Sequence, residues 1–374
     1  MIKKSEENYQ VNFLQTDLLD QLDEHHPLLA LANKIPWDYL EKEFASLYSS
    51  AGRPAKSIRL MSGLLILKQM HNLSDQSVVE TWVENPYWQV FCGMRTFQFK
   101  FPCDSSDLTY FRKRLGDQGI EKIFAISISL FGKKAAAKRV IIDTTVQEKN
   151  ITYPTDAKIR IKIINRLQKL AKKNKIQLRR TFTREIKQLR LDLRFFRHVK
   201  KRKKAKRATK RLKTIAGILI RELIRKLPKE ILRQQVSDFE LFGKILAQKR
   251  GTKNKIYSLH EPDAYCIAKG KDHKPYEYGS KASIVSTFKD NIIIGATSHS
   301  ENMHDSKTLE RVLRQVKRIQ ENYQPETALC DRGYRGKSEA EGVKIMIPKA
   351  PLKRDSRYQK RKKGAYFRRR AAIE

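Results

Sequence analysis

Cysteine is scarce in this chain, and long apolar runs are absent. There are four cysteines, at Cys92, Cys103, Cys266 and Cys330, and no CxxC pair. This sparse spacing predicts free thiols in a reducing compartment rather than a disulfide framework, and it disfavours a shared zinc site. No apolar run approaches the ~18 residues needed to span a bilayer, and the N-terminus lacks the apolar core of a signal peptide. We therefore expect a cytoplasmic protein without membrane segments.

Acidic residues are scarce relative to bases. The 374 residues include 79 lysines and arginines but only 40 acids, which gives a formal net charge of +39 at pH 7. Self-repulsion on this scale destabilises a compact state unless a polyanion neutralises it. Nucleic acid is the first candidate partner. An anionic membrane surface is the second, but the basic helices lack the tryptophan and phenylalanine stripes of an interfacial helix.

Residues 1–137 have a helical pattern. Apolar residues recur at three- and four-residue spacing in 35–48, and residues 53–93 predict two or three further helices. Ser74 predicts a helix cap, and a break is expected at Asn85 because the proline after it disfavours helical backbone. We interpret this part of the chain as an all-helical domain.

A basic helix lies near the end of this helical part. Residues 102–116 begin with capping residues and continue as a basic amphipathic helix that carries Arg112, Lys113 and Arg114. A short helix, a cap and a second helix suit a helix-turn-helix-like reader of DNA, so these three bases are candidate DNA contacts. The alternative is an ordinary helical bundle whose basic side is merely solvated.

The pattern changes to a strand at Arg139. The β-branched run of RVIIDTT ends on one acid, Asp143, and two threonines follow it. A buried strand that stops on a carboxylate can place a metal ligand at the rim of a sheet. The alternative role for this acid is a capping carboxylate.

Residues 151–250 hold much of the positive charge. The segment contains 33 lysines and arginines but only seven acids. Apolar residues still recur at helical spacing, which indicates a helical hairpin or small bundle with a basic exterior rather than a disordered tail. We expect a surface that follows DNA phosphates, with a solvated helix face as the alternative. The candidate contacts are five consecutive bases, Lys200, Lys201, Arg202, Lys203 and Lys204.

The remaining elements have the order of one α/β domain once the basic block is set aside. Alternation and apolar runs predict strands at 139–147, 277–289, 291–299, 327–331 and 343–349. Helical periodicity predicts helices at 301–320 and from about 365. This is the order of an RNase H-like fold, a mixed sheet with flanking helices. We therefore predict an N-terminal helical domain (1–137), an RNase H-like catalytic domain (138–374) and a basic helical insertion within it (151–250).

Three acids would converge in such a fold, at the ends of the first and fourth strands and on the last helix. Here those positions hold Asp143, Asp331 and Glu374. Elsewhere in the domain, His299, His304 and Asp305 lie close to the entry of the helix predicted at 301–320. A cap at Asp305 within a polar loop is the preferred interpretation for that group, and a metal role is the alternative.

Over nearly its whole length the sequence resembles the DDE transposases of bacterial insertion sequences. The helical stretches of 59–93 and 102–116 resemble that family's N-terminal domain. IIDTTVQEKN resembles the region of its first acid, and DRGYRG resembles that of its second. Phe367, Arg370 and Glu374 match the family's Tyr, Arg and Glu signature around the third acid. Phenylalanine replaces the tyrosine, and the signature's lysine would fall past Glu374, so we expect a copy truncated at the third acid.

The resemblance implies cleavage and joining of double-stranded DNA with two Mg²⁺ (or Mn²⁺) ions. Asp143 would bridge both ions, and Asp331 and Glu374 would each hold one. Arg370 could hold a phosphate, and Tyr334 and Arg335 could touch DNA near the cut. A homodimer is expected because two element ends must be processed together, and the protein would associate with the nucleoid.

Other functions stay open at this point. One is a catalytically impaired remnant that acts only as a DNA-binding protein. Another is a stand-alone RNase H-like nuclease or resolvase. Strand-transfer assays with paired element ends would separate these possibilities.

Overall fold

The computed structural model describes most of the chain. The described residues are 17–49, 54–194, 196, 198–249, 251–252, 254–268, 275–299, 301–321, 323–349 and 351–370, without the side chains of Lys362, Phe367 and Arg370. The predictions for Glu374 and for the Arg370 side chain therefore lie outside the described residues. In the described part of the chain, no helix is long and apolar enough to cross a bilayer.

The N-terminal part is helical, as predicted. Its helices are α1 (Pro27–Lys34), α2 (Trp37–Ala45), α3 (Ile58–Met70), α4 (Asp75–Glu84), α5 (Pro86–Phe91) and α6 (Ser105–Ser129). The predicted cap and break are confirmed. Ser74 Oγ accepts a hydrogen bond from the Ser77 N–H at 3.0 Å, and Asn85 both ends α4 and caps α5. Trp82 and Phe91 are fully buried in the core of these helices.

Helix α6 connects two hydrophobic cores. Leu108 and Phe111, near its start, pack in the core of the N-terminal helices. Ile128, near its end, packs against the sheet that follows. Glu121 in the same helix accepts two hydrogen bonds from the Arg318 guanidinium, at 2.7 and 2.8 Å. The N-terminal helices are thus fastened to the rest of the chain through α6.

Within the described residues the sheet has seven strands. They are β1 (Arg139–Glu148), β2 (Tyr265–Ala268), β3 (Tyr276–Thr287), β4 (Ile293–His299), β5 (Thr327–Leu329), β6 (Glu339–Ala340) and β7 (Val343–Met346). From β3 the order runs β1, β5, β7 and β6, while β2 and β4 both pair with β3. Strands β1, β5 and β7 are parallel, and the pairs β1–β3, β2–β3, β3–β4 and β6–β7 are antiparallel. This is the mixed sheet of the predicted RNase H-like α/β fold.

Strand β1 lies at the centre of the sheet. Val140, Ile141 and Ile142 are fully buried, and β3 and β5 flank them on either side. Helix α12 (Leu309–Ile319) covers one face with a stripe of apolar side chains. The helix predicted at 301–320 begins at Leu309, eight residues after its predicted start. Before it lies a 3-10 turn, Asp305–Lys307, whose acid is held by side-chain contacts to the sheet.

The basic insertion forms a helical bundle with its own core, as predicted. Its helices are α7 (Asp156–Lys173), α8 (Thr183–Leu193), α9 (Arg202–Lys226), α10 (Lys229–Gln234) and α11 (Val236–Ala247). Helix α9 packs against both α7 and α8. Leu167 from α7 and Leu212, Ile215 and Leu219 from α9 are fully buried. Most of the bases are therefore left on the outside of the bundle. Arg160 of α7 is an exception, since it is buried and donates to the Thr209 carbonyl at 2.9 Å.

The last helix, α13 (Arg357–Arg370), begins eight residues before the predicted position. Ser356 and Gln359 explain the earlier start, because they form a reciprocal cap. The Gln359 N–H donates to Ser356 Oγ at 3.3 Å, and the Ser356 N–H donates to Gln359 Oε1 at 3.1 Å. Tyr366 docks the helix, since its hydroxyl accepts from Arg139, the first residue of β1, at 2.9 Å.

Candidate active site

Two of the three predicted acids lie side by side where the central strands β1 and β5 stop pairing with each other. We call this end of the strands the edge of the sheet. Ile141 of β1 is opposite Leu329 of β5 in a parallel register, and each acid follows two residues later. Side chains two residues apart share a face of a strand, so Asp143 and Asp331 lie on the same face of neighbouring chain segments. Both are half-buried. The structure thus brings Asp143 and Asp331 together as the sequence predicted.

Backbone N–H groups orient both carboxylates. The Thr144 N–H donates to Asp143 Oδ1 at 2.8 Å. The Gly333 N–H donates to Asp331 Oδ1 at 2.7 Å, which makes Asp331 the cap of a 3-10 turn, Arg332–Tyr334. Each acid is therefore held by a backbone N–H one or two residues after it, and this contact limits the rotation of the carboxylate.

The thiol of Cys330 lies close to both acids. Burial raises the pKa of this thiol, and the negative charges of Asp143 and Asp331 raise it further. The side chain is fully buried, in the core that faces α12. Burial and the two neighbouring carboxylates therefore both disfavour the thiolate form of Cys330.

Asp305 is a third carboxylate at this edge, and its role differs from the predicted helix cap. Its Oδ1 accepts from Thr144 Oγ1 at 2.7 Å and forms an ion pair with Lys281. Burial alone would raise the pKa of this carboxyl, but the hydrogen bonds from Lys281 and Thr144 hold it below its usual value. The cap of the 3-10 turn is His304, whose ring accepts from the Ser306 N–H. The prediction of a cap at Asp305 is therefore wrong.

Gly333 lies between two of these carboxylates. A β-carbon at this position would come within 2.6 Å of Asp305 Oδ2 and 2.9 Å of Asp331 Oδ1. Only glycine leaves room for both oxygens where they stand. The glycine of DRGYRG was a usable signal, but the sequence does not reveal that the second carboxylate is Asp305, because that contact is tertiary.

Lys281 completes the contacts of Asp305. This lysine is on β3, and its ammonium also donates to the Met303 carbonyl at 2.8 Å. Its side chain is 11% exposed, so the charge depends on these partners rather than on water. No local motif or spacing in the sequence points to Lys281, because its partners are distant along the chain. His299, by contrast, is buried in the sheet and bonds Ser283 Oγ at 2.8 Å, with its pKa lowered mainly by burial.

Tyr334 does not lie on the surface, where a DNA contact would have to be. The side chain is fully buried, because the 3-10 turn after Asp331 directs it into the core under α12. Burial also raises the pKa of its hydroxyl. The prediction that Tyr334 touches DNA is corrected to a core role. Its neighbour Arg335 is exposed, as is Arg332, which sequence reasoning missed.

Arg112 also has a structural partner. Its guanidinium binds both oxygens of Asp75, at 2.8 and 2.5 Å, and so fastens α6 to α4. Lys68 shares the same carboxylate at 2.9 Å. Arg112 is therefore a packing residue rather than an open DNA contact. Lys113 and Arg114 are exposed, so their predicted contacts stay predictions.

The five bases predicted to contact DNA lie in the 3-10 turn just before α9 and in the first residues of α9. All five, from Lys200 to Lys204, are exposed. Lys204 forms an ion pair with Asp192 at 2.9 Å. Their exposure is compatible with the predicted phosphate contacts, which stay a prediction.

The donor set suits a hard divalent cation. Carboxylate oxygens are the ligands that Mg²⁺ and Mn²⁺ prefer. Asp143 and Asp331 therefore fit such an ion, while Asp305 is engaged by Lys281. Among the described residues, no group of three or more His, Cys, Asp or Glu side chains has the geometry of a metal site. The predicted third ligand, Glu374, lies outside them.

Comparisons with known proteins agree with this geometry. One family model, "Transposase domain (DUF772)", matches residues 16–114, and a second, "Transposase DDE domain", matches residues 248–374. The chain belongs to the DDE transposases of insertion sequences. The second match contains Asp331 and Glu374, while Asp143 and most of the insertion lie between the two matches.

One curated relative of this transposase is described as "Uncharacterized protein ORF8 in nfe locus" of Rhizobium meliloti. It is 42% identical over 195 residues, which cover 50% of this chain and 94% of the relative. No solved structure matches the chain. The resemblance inferred from the motifs is thus confirmed at the level of the family.

Proposed function

We propose that this transposase binds the ends of its insertion sequence and catalyses metal-dependent DNA cleavage and strand transfer. The observation that carries the proposal is the pairing of Asp143 with Asp331 at one edge of the sheet. The family match supports phosphoryl transfer as the reaction class. The net charge of +39 supports double-stranded DNA as substrate, because a polyanion relieves the self-repulsion.

Mg²⁺ or Mn²⁺ would be held by Asp143 and Asp331, with Glu374 as the third ligand. When two such ions are bound, they activate the attacking oxygen and stabilise the leaving oxygen at a DNA phosphate. The protein's own task is to keep the carboxylates in place. The N–H groups of Thr144 and Gly333 orient them, and Asp305 fixes the Thr144 hydroxyl.

The proposed reaction has two displacements at the same site. Water first frees a 3′-hydroxyl at the element's end, and that hydroxyl then attacks a phosphate of the target DNA. No covalent bond forms between protein and DNA. Arg335 beside Asp331, and Arg370 on α13, are the proposed phosphate contacts at the cut.

The described residues form three hydrophobic cores, which support the division of the chain into three parts. One core lies within the N-terminal helices, one within the sheet and α12, and one within the insertion. We propose an N-terminal DNA-binding domain at 1–137, a catalytic domain at 138–374 and the insertion at 151–250. The working form would be a homodimer that holds two element ends, in the cytoplasm on the nucleoid.

The test is cleavage and joining of end-containing DNA by the full chain. We expect activity with Mg²⁺ or Mn²⁺ and none with a chelator. Asp143→Asn and Asp331→Asn should abolish both steps while DNA binding persists. The matched control is Asp290→Asn, an exposed acid in the β3–β4 turn.

Two results would count against the proposal. If either Asn variant at Asp143 or Asp331 cleaves like wild type, the site assignment is wrong. If the wild-type chain binds end DNA but never cleaves it with either metal, the impaired DNA-binding remnant is the correct function.

A further inference from the structure

Three phenylalanines alternate with polar residues in the connection between α5 and α6. This connection contains the sequence FQFKF, residues 97–101, which we call the phenylalanine segment. Phe99 is 82% exposed and Phe101 is 64% exposed. Single exposed apolar side chains are common on protein surfaces, but two exposed phenyl rings within three residues form an apolar patch. The cleavage site makes no use of this patch.

A buried side chain holds the backbone of the phenylalanine segment. Gln89 of α5 is fully buried, and its Oε1 accepts a hydrogen bond from the Gln98 N–H at 2.7 Å. Its Nε2 donates to the Gln98 carbonyl at 2.9 Å. Gln98 thus has both backbone groups paired, as it would beside a neighbouring strand. Because side chains alternate along an extended backbone, Phe97 and Phe99 lie on the same side of the segment.

The exposed rings have firm support on both sides. The half-buried Phe97 contacts Phe99 edge to face, with ring centroids 5.0 Å apart and planes at 70°. Before the segment, the Arg95 carbonyl accepts from the Leu18 N–H at 2.7 Å. After it, Cys103 packs in the core of the N-terminal helices. The two exposed rings are therefore presented on a fixed backbone, which lowers the ordering cost of binding a ligand.

The charge around the phenylalanine segment is positive. Arg95 and Lys100 are both exposed, and neither forms an ion pair with another described residue. The acids that follow in the chain are already engaged, since Asp104 and Asp107 form the reciprocal cap of α6. The exposed Lys113 lies ~12 Å further along the same helix. This surface suits a negatively charged ligand that also offers an apolar contact.

Duplex DNA fits these requirements better than a second copy of the chain. A chain with a net charge of +39 repels its own copies, so self-association through a basic patch is disfavoured. A phenyl ring has no atom that can hydrogen-bond a phosphate or a base edge. The apolar space that a duplex offers to such a ring lies between stacked base pairs. Inserted apolar side chains reach that space from the minor groove and kink the duplex by about 20–90°.

We propose that the phenylalanine segment is a wedge that bends the DNA of the element's end. Phe99, with Phe101 beside it, inserts between neighbouring base pairs from the minor groove. Arg95 and Lys100 bind the phosphates on either side of the opened step. The proposal rests on the proposed function, because it requires the N-terminal domain to bind the duplex at the element's end.

The experiment measures the bend by energy transfer between dyes at the two ends of a short duplex that carries the element's end. The full chain is added as wild type or as the test variant, Phe99→Ala with Phe101→Ala. The matched control is Phe131→Ala, which removes a 51% exposed ring after the far end of α6. A rescue variant, Phe99→Leu with Phe101→Leu, keeps apolar wedges without aromatic rings.

We expect wild type and the Phe131→Ala control to bend the duplex by at least ~20°. The alanine variant should leave the duplex nearly straight and bind it up to about tenfold more weakly, while the leucine variant should restore the bend, because aliphatic side chains also act as wedges. Thermal melts of all variants should match wild type, because the two replaced rings are mostly exposed.

A variant without the flanking bases separates the wedge from the phosphate contacts. Arg95→Ala with Lys100→Ala should reduce the slope of log affinity against log salt by about 0.9 for each lost phosphate contact. The bend of the bound duplex should persist, since both rings are still present. Loss of the bend at full occupancy in this variant would assign the deformation to charge rather than to the rings.

Four further results would overturn the proposal and leave the proposed function intact. The first is a wild-type complex without a bend, and the second is an unchanged bend in the alanine variant. The third is failure of the leucine variant to restore the bend, which would indicate stacking on a base rather than insertion. The fourth is a DNA-free wild-type dimer that the alanine substitutions dissociate, which would identify a second copy as the occupant. Failure of wild type to bind the duplex at all would instead contradict the proposed function itself.

Discussion

The edge of the sheet at Asp143 and the basic insertion differ in how their charged side chains are held. At the edge, each carboxylate has a specific donor, such as Thr144 N–H or Gly333 N–H, at hydrogen-bond distance. In the insertion, most bases are exposed and few have acidic partners. Fixed geometry suits a reaction at one phosphate, whereas dispersed charge suits attraction to any DNA. The comparison predicts that small changes matter at the edge and that single changes matter little in the insertion.

The largest effect of a small change is expected at Gly333. In Gly333→Ala the new β-carbon would meet Asp305 Oδ2 at 2.6 Å and Asp331 Oδ1 at 2.9 Å, so a carboxylate must move. Displacement on this scale should lower the cleavage rate about 100-fold. DNA binding, measured in parallel, should not change. Gly243→Ala, whose β-carbon would meet nothing within 4 Å, is the control, and equal activity of the two variants would contradict the account.

A second effect is expected from the charge pair beneath the site. Asp305→Asn leaves the Lys281 ammonium without its counter-ion in a place that is 11% exposed. The free energy of unfolding should fall by about 3 kcal/mol, because an unpaired buried charge is costly. Adding Lys281→Met should recover most of that loss, as measured by urea unfolding of the single and double variants. If the double variant is as unstable as the single one, the pair does not account for the stability.

Arg112 combines features of both regions, since it is a base like those of the insertion but has a specific partner in Asp75. Arg112, with burial opposing and Lys68 assisting, lowers the pKa of Asp75 to about 2. Because the folded-state pKa lies below the ordinary value of 3.8, the stabilisation is complete above that value and is lost as the pH falls towards 2. Asp75→Asn should lower the free energy of unfolding by about 2 kcal/mol at neutral pH. Near pH 2 the substitution should change it by almost nothing.

Chemical unfolding from neutral to acid pH would measure that cost. Asp117→Asn, an exposed acid on the same α6 helix, is the control and should stay close to wild type. A constant difference between Asp75→Asn and wild type across the whole pH range would show that the ion pair is not its origin.

The smallest effect per residue is expected in the insertion. Replacing one of Lys200, Lys201 or Lys203 by alanine should reduce the slope of log affinity against log salt by at most ~0.9. The reduction should be the same for element ends and for random duplex, since phosphate contacts carry no sequence information. Filter-binding titrations at several salt concentrations would measure it. A loss confined to the end sequence would make this stretch a reader of bases instead.

Local signals in the sequence predicted much of the scaffold. The cap at Ser74, the break at Asn85 and the strand predicted at 139–147 all depend on neighbouring residues, and all are confirmed. The strand does not stop at Asp143: β1 continues to Glu148, and only its buried run at 140–142 ends before the acid. The start of α13 was also local, but the reciprocal cap of Ser356 and Gln359 was overlooked. Chain order then brought Asp143 and Asp331 together, because the fold class fixes which strands are neighbours.

The errors arose where a tertiary contact decides the outcome. Asp305 has the sequence context of a cap, yet its partners come from β1 and β3. The predicted helix at 301–320 is shortened because those contacts hold the chain before α12. Tyr334 and Arg112 have polar atoms that suit DNA, but one is turned into the core and the other is bound by Asp75. No periodicity or spacing in a single sequence reports such partners.

Metal binding by the full chain on its end DNA tests the central claim most directly. Mn²⁺ affinity can be measured by electron paramagnetic resonance for wild type, Asp143→Asn, Asp331→Asn and the control Asp290→Asn. We predict that each of the first two substitutions weakens Mn²⁺ binding by at least about tenfold, while Asp290→Asn matches wild type. Unchanged Mn²⁺ affinity in both Asp143→Asn and Asp331→Asn would show that the two neighbouring acids are not a metal site.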